Sequence, residues 1–148
     1  GLLVMDFSYA KPLSEARKAK VKPEMGDPEL DQRLAMINER GNQDQKMFVE
    51  GICRHFGVDS QMVGDLLGKG LSPADVYMSL LLSKTLKQDV QKVLDLYNVN
   101  RGKSWGVIAQ EMGIKPGSKE FHALKGDNFW AKEQKKGGAK EQSQKKGR

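Results

Sequence analysis

Residues 73–83 carry apolar side chains around most of a helix, and such a segment is stable only when other helices surround it. Val76, Tyr77, Leu80, Leu81 and Leu82 fall on more than one face, so a single amphipathic contact does not cover them. The start of this helix is marked by Ser72-Pro73-Ala74-Asp75. Ser72 offers an N-cap oxygen, and Pro73 suits the first helical position, where no N–H is needed. Asp75 stands three residues on, where a carboxylate reaches back to the cap. A helix this apolar needs neighbours, and the rest of the chain supplies them.

Asp27-Pro28-Glu29 repeats the same start signal, followed by Leu30, Leu34 and Ile37 on one face and a stop at Gly41. A second helix is predicted from Gln43 to Phe56, with Met47, Phe48, Ile52 and Phe56 inward and Gly57 closing it. Asp59 caps a third, short helix that ends at Gly68-Lys69-Gly70. A fifth covers residues 88–97 and presents Val90, Val93, Leu94 and Tyr97. Ser104 caps a sixth, with Trp105, Ile108, Ala109 and Met112, and Ser118 caps a last one through Leu124. No stretch alternates with the β-branched content of a strand. The expected class is all-α, a compact array of about six to seven short helices.

Part of that array reads as a repeated helical hairpin. Val63, Leu66 and Leu67 match Val93, Leu96 and Tyr97 at a spacing of 30 residues, and Ser72, Val76 and Leu80 match Ser104, Ile108 and Met112 at 32. Each unit is a short helix, a glycine-containing loop and a Ser-capped helix.

The formal charge of +6 invites a nucleic-acid reading until its location is considered. Residues 131–148 hold seven basic side chains against two acidic, and residues 11–22 hold five against one. Residues 23–130 hold 13 basic and 15 acidic, so the part able to fold is slightly acidic. Four segments follow. Residues 1–10 read as the remnant of an export signal, apolar and then Ser8-Tyr9-Ala10, the small–large–small pattern of a cleavage site. Residues 11–26 form a basic linker, 27–124 the helical domain, and 125–148 a basic, disordered tail. Within the tail, Phe129 and Trp130 are expected to pack back on the helices. No apolar run approaches the roughly 20 residues of a membrane helix.

The sharpest functional pattern is residues 105–114 followed by 115–124, a helix centred on Ile108-Ala109, a turn at Gly113 and a second capped helix. This arrangement resembles a helix-turn-helix, whose second helix enters the major groove. The residues placed to meet phosphates and bases would be Ser118, Lys119, His122 and Lys125, with Arg101 and Lys103 for the backbone. Against it stand the acidic folded region and the use of Phe121 and Leu124 for packing. The Lys-rich tail can contact polyanions without specificity.

Catalysis finds no pattern to rest on. Cys53 and His55 are two residues apart and point to different sides of a helix. A single cysteine forms no internal disulfide and no multi-cysteine metal site. His55 and His122 with the scattered carboxylates reproduce no metal-ligand spacing. Gly68-Lys69-Gly70 and Arg101-Gly102-Lys103 lack the strand that precedes a phosphate-cradling loop.

Ser72-Pro73-Ala74-Asp75-Val76, Trp105-Gly106-Val107-Ile108-Ala109 and Gly113-Ile114-Lys115-Pro116-Gly117 together resemble a loose group of small exported helical bacterial proteins. The resemblance covers residues 57–124 and implies export and a helical fold, with no activity and no functional residue to carry over. The expected function is therefore an exported helical binding or structural module, periplasmic or extracellular, with no catalytic, metal or cofactor site. Its expected partner is a protein or envelope component. The alternative is a cytoplasmic helix-turn-helix binder of nucleic acid.

Overall fold

The computed structural model describes residues 19–129. The proposed export-signal remnant and the tail from residue 130 onward lie outside them. Among the described residues the chain forms seven helices and no sheet. They are α1 (Pro28–Gln43), α2 (Gln45–Phe56), α3 (Ser60–Gly68), α4 (Pro73–Leu86), α5 (Val90–Val99), α6 (Trp105–Glu111) and α7 (Lys119–Lys125).

Every helix start uses the short polar side chain that precedes it. Asp27, Asp44, Asp59, Ser72, Asp89, Ser104 and Ser118 each accept a hydrogen bond from an N–H of the first turn. At α4 the capping box is complete, with Ser72 N–H donating to Asp75 Oδ2 at 3.0 Å and Asp75 N–H donating to Ser72 Oγ at 3.1 Å. α4 is the hub: Pro73 to Leu82 are all buried, and it packs against α1, α2, α3, α5 and α7. Its breadth of apolar residues is what allows neighbours on so many sides.

Some boundaries move, each for a packing reason. Gly41 does not end α1; the helix runs on to Gln43 with Gly41 buried inside it. A Cβ at Gly41 would stand 2.6 Å from Cβ and Cγ of Pro73, so the glycine lets the start of α4 approach α1. The junction is made instead by Asp44, whose N–H bonds Arg40 O and whose side chain caps α2. Gly57, in the left-handed region at φ 68°, closes α2 as expected from its place in the sequence.

The limits of the packed unit also differ from residues 27–124. Val21 (3% exposed) and Met25 (6%) belong to the core, so residues 19–25 are not linker. They form an extended arm whose carbonyls of Lys20, Lys22 and Glu24 accept from the N–H groups of Gly102, Trp105 and Gly106. At the other end Lys125 belongs to α7, and Phe129 is 3% exposed, so residues 125–129 are not tail. In both places one or two apolar side chains in polar sequence find a partner distant in the chain.

The two hairpin units share their serine caps and two of their buried positions. Leu66, Tyr97 and Leu80 are buried, whereas their counterparts Leu96, Leu67 and Met112 are only partly so. Val63 and Val93 are both fully buried, as are Val76 and Ile108. Their places differ: α4 has 14 residues at the centre, and α6 has 7 covered by the arm.

Candidate functional site

Two buried carboxylates organise the polar interior, and each gathers a tyrosine and a nitrogen heterocycle. Asp75, on the first turn of α4, is 2% exposed. Its Oδ2 accepts from Ser72 N–H and from the Tyr97 hydroxyl of α5, both at 3.0 Å. Its Oδ1 accepts from the indole Nε1–H of Trp105, on α6, at 2.8 Å. Tyr97 and Trp105 lie beside each other with ring centroids 5.7 Å apart. Burial, reinforced by the Asp75 charge, pushes the Tyr97 phenol well above its ordinary range. The carboxylate also sits at the positive end of α4.

The second centre is Asp127, in the segment after α7. Its Oδ1 lies 2.9 Å from Nε2 of His55 on α2, and its Oδ2 accepts from the Tyr77 hydroxyl of α4 at 2.7 Å and from Phe129 N–H at 3.2 Å. The His55 and Asp127 side chains are each 6% exposed. A carboxylate at Nε2 assigns the ring proton to that nitrogen, and Nδ1 is buried with no hydrogen-bond partner. Four aromatic rings enclose the pair, with Phe56 4.7 Å and Phe129 5.4 Å from the imidazole, Tyr77 5.5 Å from Phe129 and Phe48 6.2 Å from Phe129. Burial first, and then Asp127, raises the Tyr77 phenol well above its ordinary range.

A carboxylate-oriented histidine beside a tyrosine is a set of groups used for proton transfer. Here Phe129 and Phe56 seal it from solvent, so a substrate meets none of the three groups in this conformation. Cys53, partly buried on the same helix, has its thiol pushed up by burial. Among the described residues, no group of three or more His, Cys, Asp and Glu side chains is placed to hold a metal ion. An open cleft of about 300 Å³ lies where Lys20, Gly41, Asn42, Leu71 and Ser72 meet, and the Lys20 ammonium crosses to Gly70 O at 3.1 Å.

The residues of the helix-turn-helix reading divide into two groups that pack against different parts of the chain. The Arg101 guanidinium lies 5.0 Å above the Tyr97 ring and donates to Ala19 O and Asn98 Oδ1. Lys103 is exposed, and its carbonyl accepts from Lys22 N–H. Ser118 caps α7, where Lys119 and His122 are exposed. Lys125 is paired with Asp27 and Glu29, both at 3.3 Å, and Arg33 of α1 donates to the carbonyls of Leu124 and Lys125. α7 is therefore tied to the acidic start of α1, which places negative charge beside it.

In the sequence Asp75 reads only as a cap, and Asp127 falls within the basic tail. The contacts of Asp127 span 72 residues to His55 and 50 to Tyr77, and no local pattern encodes them. No family model, no curated protein and no solved structure matches the chain.

Proposed function

We propose that the chain is an exported helical binding or structural module that acts through its outer surface, without catalysis or cofactor. The observation carrying this reading is the inward use of its polar chemistry. Asp75, Tyr97 and Trp105 on one side, and His55, Tyr77 and Asp127 on the other, join helices to one another instead of lining an open cavity. Struts of this kind hold a surface in one shape. Export rests on residues 1–10 and on the resemblance of residues 57–124 to small exported helical proteins. Among the described residues no helix is long and apolar enough to cross a membrane. The partner class that fits is a protein or an envelope component, with the Lys-rich tail adding unspecific attraction to polyanions.

Fractionation of cells making the full-length protein, with N-terminal sequencing of the product, tests the reading. A product outside the cytoplasm starting at Lys11 supports it, and an uncleaved cytoplasmic product overturns it. The nucleic-acid alternative draws on the exposed Lys119 and His122 of α7. A salt-dependent gel shift that survives removal of residues 131–148 and disappears in Lys119→Ala would establish that alternative.

A further inference from the structure

The two buried carboxylates differ in how they are attached to the fold. Asp75 lies within the hub helix, so its bonds to Tyr97 and Trp105 break only when the core opens. Asp127 follows the last helix and reaches the interior on a short segment anchored by its own side chain and by Phe129. The walls that receive this segment belong to α2 and α4: His55 and Tyr77 donate to the acid, and Phe48, His55 and Tyr77 face the Phe129 ring. Without a carboxylate, two buried donors from different helices lose their acceptor, so the pocket selects for an acid. The Phe129 N–H also bonds Asp127 Oδ2 at 3.2 Å, a local turn that sets acid and ring at fixed spacing. Nδ1 of His55, buried and unpartnered, is bonding capacity that Asp127 and Phe129 leave unused.

We propose that the α2–α4 pocket is a recognition site for a partner segment carrying a carboxylate two residues ahead of an aromatic ring, and that Asp127 and Phe129 occupy it as an internal stand-in. The pocket supplies two donors for the acid and an aromatic wall for the ring. The turn spacing makes the ligand a peptide, because an isolated acid reproduces only half of the contacts. An incoming segment competes with the tethered one, whose effective concentration sets how strong a rival it must be. The inference is independent of whether the protein is exported.

The test uses the full-length chain and a labelled peptide with the sequence of residues 125–129. The double variant Asp127→Ala/Phe129→Ala empties the site, and fluorescence anisotropy should show it binding the peptide about 10-fold or more tighter than the unaltered chain. Replacing the peptide's aspartate by asparagine, or adding Tyr77→Phe to the variant, should abolish the gain. A folded double variant that ignores the peptide, or binds the asparagine form equally, overturns the proposal. Should the double variant fail to fold, hydrogen exchange on the unaltered chain decides. The Phe129 amide should exchange about 100-fold faster than the amides of α4, through local opening. Exchange of both at one rate means the segment cannot leave without unfolding, and the site does not exist. Concentration-dependent dimerisation lost in Phe129→Ala would make the occupant a second copy of this chain and overturn the partner assignment.

Discussion

The indole N–H of Trp105 points at the carboxylate of Asp75 across 2.8 Å and 30 residues of sequence, joining the first turn of α4 to the first turn of α6. Asp75 therefore works twice, once within its own helix as the capping box and once between helices as the common acceptor of Tyr97 and Trp105. Replacing it by alanine leaves two buried donors unpaired and opens the cap. Asp75→Ala should lose about 3–5 kcal/mol in urea unfolding, whereas Trp105→Phe, which keeps most of the ring and removes one donor, should lose about 1–3 kcal/mol. Equal losses would mean that packing of the indole, and not its hydrogen bond, holds this corner.

Glycines in two helices should respond to alanine with opposite signs. At Gly41 the new methyl meets the rigid Pro73 ring at 2.6 Å, and Gly41→Ala should destabilise by about 1–3 kcal/mol. At Gly64 in α3 a Cβ meets nothing within 4 Å, and Gly64→Ala should stabilise by about 0.5–1 kcal/mol through helix propensity alone. Thermal or urea melts of the two variants check both signs at once.

Alkaline titration reads the buried tyrosines. The phenols of Tyr77 and Tyr97 are raised, so the folded state keeps protons that the unfolded state releases above the ordinary value of about 10. Their contribution is complete below that pH and is lost as pH rises toward the folded values. In a Tyr9→Phe background these are the only tyrosines. Their 295 nm absorbance should then rise with unfolding, measured by circular dichroism, and not before it. Early ionisation of both would contradict their burial.

The acid side is set at the start of α1. The Leu30 N–H, and then Lys125, hold the Asp27 carboxyl below its usual value, while the same pairing raises the Lys125 ammonium. A lowered carboxylate stabilises the fold above its unfolded pKa, and that contribution is lost as pH falls through the folded value. NMR titration of Lys125→Ala should find Asp27 shifted upward yet still below normal, because the Leu30 hydrogen bond remains. Asp27 and Lys125 are both partly exposed, so added salt should reproduce part of that shift.

Helix identity was legible in the residues because it is encoded locally. Asp27, Asp59, Ser72, Ser104 and Ser118 each cap the helix that their position announces, and the all-round apolar face of residues 73–83 foretold the hub. Gly41 misled because a glycine that permits close approach and a glycine that ends a helix look the same in sequence. The polar interior was not legible. Tyr97 and Trp105 carry no mark of a shared acceptor, and Asp127 lies in sequence that looks like the beginning of a solvated tail.

The arm at residues 19–25 has a consequence for the order in which the protein is made. The first N–H groups of α6 are satisfied by carbonyls of Lys22 and Glu24, residues translated about eighty positions earlier. The second carboxylate centre closes only when Asp127 has emerged to meet His55 and Tyr77. A nascent chain therefore carries its hub helix before either seal is in place, and the second seal waits for Asp127. Chains arrested near residue 110 should be digested by protease at α2 and α4, and chains extended past Phe129 should resist.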